Sequence, residues 1–117
     1  MSNRAQREAQ GRRGEWLAAW YLRLRGWRIL ARRAKTPRGE VDIIARKGRQ
    51  VAFVEVKWRR SAIDLDLATD HYRMRRVAAA AEALAPRYAR DGDDLRIDVL
   101  LLAPGRFPRH LTNVWMP

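Results

Sequence analysis

The sequence predicts an α/β domain, a mixed β-sheet with flanking helices in the order α-β-β-β-α-β and one further strand at the end. Three observations predict it. Two segments, one near the start and one past the middle, carry apolar residues at helical spacing. Between them, two β-rich runs flank a short polar stretch and read as an antiparallel hairpin. No Gly-rich phosphate loop follows any strand, and the hairpin is inconsistent with a simple doubly wound nucleotide-binding domain.

Each element has its own signal. From Arg4 to Leu24 there is no proline, and Leu17, Trp20, Tyr21 and Leu24 repeat at the spacing of one helical face before Gly26 stops the helix. Trp27 to Leu30 reads as a first strand, followed by a basic loop from Arg32 to Gly39 broken by Pro37. The hairpin strands are Glu40 to Ala45 and Val51 to Trp58. Ser61 to Asp70 reads as a connecting loop able to carry a helical turn. Met74, Val77, Ala81, Leu84 and Tyr88 then mark the apolar stripe of a second helix, about Asp70 to Arg90, which Pro86 ends or kinks. Leu95 to Ala103 is a buried strand, and His110 to Trp115 is the last one. Trp16, Trp20, Trp27 and Trp115 are expected in the core, as is Trp58 against a helix.

With 117 residues, the chain fits a single domain, 1–117, large enough to bury a core. It has no cysteine, which excludes disulfides and thiolate zinc sites, and His71 and His110 are far apart, so any metal is held mainly by oxygen. The apolar stretches are too short to span a bilayer, and the N-terminus shows no apolar signal core; no membrane and a cytoplasmic location are expected. The formal net charge of +12 is almost all arginine, the lysines being Lys35, Lys47 and Lys57. So basic a chain attracts polyanions, and nucleic acid is the expected partner. An arginine-rich proteome is the alternative source of that charge.

The hairpin carries the candidate chemistry. Side chains alternate along a strand, so Glu55 and Lys57 share a face while Val54 and Val56 point to the other. Whether Asp42 joins them depends on the turn. A Lys47-Gly48 turn or an Arg46–Arg49 loop sets Asp42 opposite Phe53 and diagonal to Glu55. A Lys47–Gln50 loop pairs Arg46 with Val51 and sets Asp42 directly opposite Glu55, whereas an odd-length loop or a bulge turns it away. Two carboxylates brought together repel unless a cation neutralises them. Mg²⁺ (or Mn²⁺) suits the pair because it completes its shell with water and phosphate oxygens. Lys57 is a compact charge able to orient or help deprotonate an attacking water. A salt bridge on a solvated sheet face is the plainer alternative.

Gly14-Glu15, Gly39-Glu40-Val41-Asp42-Ile43-Ile44, Phe53-Val54-Glu55-Val56-Lys57 with Arg59, and Arg96-Ile97-Asp98-Val99 together resemble the YraN family of bacterial proteins over nearly the whole chain. The resemblance implies the restriction-endonuclease-like PD-(D/E)xK nuclease fold, related to archaeal Holliday-junction resolvases. It implies that Asp42, Glu55 and the Val56 carbonyl bind metal, that Lys57 assists the water, and that Glu15 faces the site. The chain departs from the family pattern at Arg33, where asparagine is usual, at Arg73, where lysine is expected, and in its Ser61–Asp70 loop.

The expected activity is metal-dependent endonucleolytic hydrolysis of DNA, branched or damaged forms included. The alternatives are a non-catalytic nucleic-acid-binding module of the same fold, or a basic partner for RNA or an acidic protein. Arg32, Arg33, Lys35 and Arg38 are expected to contact phosphates, as are Arg59, Arg60, Arg73 and Arg76, with Arg75 beside them. Asp98 reads as structural. Resolvases act as dimers on a two-fold junction, which leaves a homodimer open.

Overall fold

The computed structural model describes the backbone of residues 2–58 and 67–115 and the side chains of residues 12–58 and 72–115. Its elements are α1 (Ser2–Leu24), β1 (Arg28–Thr36), β2 (Gly39–Lys47), β3 (Gln50–Trp58), α2 (Leu67–Tyr88), β4 (Asp94–Leu102) and β5 (Arg109–Leu111). The strands form one sheet in the order β1-β2-β3-β4-β5. All neighbours are antiparallel except β3 and β4, which run parallel because the connection between them passes through α2. This is the mixed sheet with flanking helices, in the order the sequence predicts. Among the described residues, no helix is long and apolar enough to cross a membrane.

Each face of the sheet has its own core. Phe53, Val51, Ile44, Ile97 and Val99 pack with the α2 stripe of Met74, Val77, Ala81 and Leu84. On the other face, Ile43, Ala52, Val54 and Leu100 pack against Ala18, Ala19 and Leu22 of α1 and against Trp27. Full burial of Phe53, Leu22, Ile43 or Leu100 contributes roughly 1.5–3 kcal/mol apiece.

Four sequence expectations are corrected. First, α1 buries its small side, Gly14, Ala18, Ala19 and Leu22, and leaves Trp16, Leu17, Trp20 and Leu24 exposed. Small residues let the helix lie close on the sheet, whereas the bulky stripe would hold it off. Trp16 and Trp20 are therefore outside the core, while Trp27 is buried and Trp115 packs on its edge. Second, the basic segment from Arg32 is strand rather than loop. β1 runs to Thr36, paired with β2 along one edge, with Leu30, Ala31 and Ala34 packed on the α2-side core and Ile29 on the other. Third, α2 begins at Leu67 and passes through Pro86 to Tyr88. Fourth, β5 stops at Leu111, since Asn113 turns with a positive φ of 50° and gives its amide to Asp98. Arg59 and Arg60 lie outside the described residues.

Two glycines are required by geometry. Gly48, with φ 62°, forms the tight turn that lets Lys47 pair with Gln50. Gly39 has φ 153°, and a Cβ there would sit 2.6 Å from the Arg76 carbonyl oxygen of α2. Gly39→Ala is accordingly expected to push α2 away from the start of β2 and lower unfolding stability by about 1–3 kcal/mol, measured by denaturant titration.

Candidate active site

The site forms where β2 and β3 part. Their ladder runs from Lys47↔Gln50 through Arg46↔Val51 to Ile43↔Val54, while β3 continues to Trp58 alongside β4. Continuing that register sets Asp42 against Glu55. Strict alternation also fails on β2 here: Val41 and Ile44 both pack toward α2, while Ile43 packs toward α1. The neighbouring strand is irregular at the same level: Arg33, between the pairs Arg32↔Ile43 and Ala34↔Val41, takes a left-handed φ of 51°. The Val56 amide, beyond the end of the ladder, donates to the Asp42 Oδ2 at 2.8 Å.

A cleft of about 680 Å³ opens at this parting. Asp42, Glu55 and Val56 wall it from the sheet, Gly14 and Glu15 from α1, and Tyr72, Arg73 and Arg76 from α2. Glu55 is only 8% exposed. Burial, then the Asp42 charge, raises the Glu55 carboxyl to about 8, although the cations Arg73 and Lys57 partly offset the rise. Burial also raises the Asp42 carboxyl, to about 6, against the stabilising Val56 amide; the Glu15 and Glu40 charges add to the rise. Two carboxyls that resist ionisation at one point form a donor set that a hard divalent cation relieves.

The other predicted residues divide. Glu15 faces the cleft and receives Arg33 Nε at 2.6 Å, so Arg33 is committed to a carboxylate. Arg73 Nη1 lies 3.8 Å from Glu55, and Arg76 and Lys35 line the same opening. Arg32 and Arg75 are exposed away from the cleft wall, and Arg38 is 3.6 Å from Glu82. Lys57, 4% exposed, stands outside the set of described side chains that wall the cleft. Asp98 lies on the opposite face from Glu55, next to Trp27, His110 and Arg96.

Sequence reasoning missed Thr36, Glu40 and Tyr72, which also border the cleft. Thr36 had a signal in the run Thr36-Pro37-Arg38-Gly39: its hydroxyl accepts the Arg38 and Gly39 amides and donates to the Gly39 carbonyl, closing the turn into β2. Nothing in the sequence marks Tyr72 apart from its neighbours on α2.

Comparison with known proteins places the fold and the family. The fold is similar to that of Archaeoglobus fulgidus Hjc, a Holliday junction resolvase from an archaeal hyperthermophile, with a TM-score of 0.61 over 86% of this chain and 73% of that one. Sequence identity there is 21%, so the likeness is one of fold alone. A UPF0102 protein of Sphingopyxis alaskensis is 68% identical across 97% of this chain and 98% of its own length. One from Erythrobacter litoralis is 63% identical across 94% and 95%, and one from Parvibaculum lavamentivorans 47% identical across 92% and 81%. The family model described as "Uncharacterised protein family UPF0102" matches residues 14–102, from the α1 glycine at the cleft to the end of β4, and the chain belongs to that family.

Proposed function

We propose that the protein is a divalent-metal-dependent nuclease that hydrolyses phosphodiester bonds in DNA, branched or damaged DNA included. One observation carries the reading: Asp42 and Glu55 meet at the base of a cleft bordered by Lys35, Arg73 and Arg76, with carboxyls raised to about 6 and 8. Asp42, Glu55 and the Val56 carbonyl would hold Mg²⁺ or Mn²⁺. When bound, such a cation supplies Lewis-acid polarisation of a phosphoryl oxygen and acidifies water. The resolvase named above supports DNA as the substrate class.

The chain's own groups have distinct tasks in this reading. Arg73, Arg76 and Lys35 grip backbone phosphates at the cleft mouth, positioning a strand without reading its bases. Arg33 holds the Glu15 carboxylate in place at the cleft edge. The Lys57 ammonium beside Glu55 favours the ionised form of that carboxyl, the form that holds a cation.

The test is incubation of branched, flapped, single-stranded and duplex DNAs with Mg²⁺ or Mn²⁺. Cleavage is expected, reduced about 10²–10³-fold in Lys57→Ala; undiminished cleavage by that variant would assign the activity elsewhere. The burial of Lys57 outside the cleft wall favours a second reading, a binding module of this fold without turnover. Salt-sensitive, metal-independent binding with no cleavage of any substrate would establish it.

A further inference from the structure

We propose that the outward arc of α1 is a stacking platform for unpaired nucleotides, engaging a single-stranded stretch of nucleic acid that runs on from the cleft. This rests on the reading of the protein as one that engages nucleic acid, and it adds the kind of strand engaged. At about 100° per residue, Trp16 and Trp20 share one arc of roughly 140° with Arg12, Arg13 and Arg23, and Leu17 and Leu24 complete it. The rest of the helix surface from residue 12 to 22 is turned to the sheet or half-buried.

Trp16 and Trp20 are 53% and 47% exposed, a large apolar area to leave in water. Their ring centroids are 6.3 Å apart at 68°, edge to face. The Arg23 guanidinium lies 5.5 Å over the Trp20 ring. Flat rings interleaved with guanidinium groups match a nucleobase and its phosphate together: the base stacks and the phosphate pairs.

Charge selects the occupant. Between residues 12 and 25 the acidic residue is Glu15, which lies on the buried side and is held by Arg33, so the exposed arc is purely cationic. A second copy docking there would set Arg12, Arg13 and Arg23 against their own counterparts on a chain of net charge +12. Position points the same way. Gly14 and Glu15, which wall the cleft, are flanked in sequence by Arg13 and Trp16, so a strand leaving the cleft along α1 meets the rings within one turn.

Binding without metal tests this separately from catalysis. The full chain in EDTA is titrated into fluorescein-labelled oligo(dT) and into a duplex of equal length, followed by anisotropy, for wild type, Trp16→Ala/Trp20→Ala and Trp16→Phe/Trp20→Phe. The alanine pair is expected to lose about tenfold or more in single-strand affinity, with duplex affinity changed less than twofold; the phenylalanine pair should retain most of it. Because both rings are exposed, the variants should melt with the wild type. Equal effects on both DNAs, or none, would overturn the platform. So would an unchanged oligo(dT) affinity accompanied by loss of self-association in sedimentation, or by loss of binding to anionic phosphatidylserine vesicles. A chain that cleaves nothing but shows the expected pattern keeps the platform and removes the nuclease.

Discussion

Asp42→Asn should abolish metal-dependent cleavage, by about 10²–10³-fold or more, while making the metal-free protein more stable. The substitution keeps an acceptor for the Val56 amide, so the parting of β2 and β3 is preserved. It removes one of two carboxylates that repel each other. The sign follows from the raised carboxyls. Unfolded, these groups titrate near 3.8 and 4.5; folded, near 6 and 8. The native state therefore holds protons that the unfolded chain has released, and the metal-free protein loses stability as pH rises from about 4 through 8. Asn at position 42 should flatten that decline between pH 6 and 8. In wild type, Mg²⁺ should reverse the trend, raising Tm more at pH 8 than at pH 6, and in Asp42→Asn the cation should add little. Thermal melts of both proteins in EDTA and in Mg²⁺ across this range check all three statements. A wild-type Tm indifferent to Mg²⁺ at pH 8 would sink the metal assignment.

The largest stability loss is expected at Asp98, on the other face of the sheet. It is fully buried and takes His110 Nε2 at 2.7 Å, the Arg96 guanidinium at 3.0 Å and the Asn113 amide at 2.8 Å. Burial alone would raise its carboxyl, but His110, the Asn113 amide and Arg96 together outweigh burial and hold it below the usual range. Asp98→Ala strips the carboxylate from a half-buried arginine and the acceptor from the amide that ends β5, at a cost of about 3–5 kcal/mol. That is much of the 5–15 kcal/mol typical of a whole domain. Denaturant unfolding should show a lowered midpoint, and hydrogen exchange should show Arg109–Leu111 opening first. Stability carried by Asp98 is present above about pH 4, the unfolded value, and disappears as pH falls through the depressed folded one.

The parts of the fold that local pattern controls were legible in the sequence. The α2 stripe of Met74, Val77, Ala81 and Leu84 packs as its spacing requires, and the β2–β3 hairpin takes the register in which Arg46 faces Val51. What escaped was set by neighbours. The face that α1 buries was chosen by how closely a helix could approach the sheet, so Ala18 and Ala19 prevailed over more hydrophobic rings. β1 looked like a loop because its outward residues are charged. The two acids and the register that opposes them were visible in the sequence. Arg33 carries no mark of its left-handed backbone, since arginine has no preference for it, and that turn in the neighbouring strand was not visible.

The position of β1 at the border of the sheet has one more consequence. A border strand offers unpaired amides and carbonyls to any passing chain, the template on which fibrils grow. Here Arg28, Arg32 and Lys35 are exposed along it, and two molecules approaching rim to rim would bring those rows of like charge together. The same side chains that lend the protein its attraction for polyanions thus keep its copies apart, and solubility should fall whenever a short polyanion neutralises that rim at low salt.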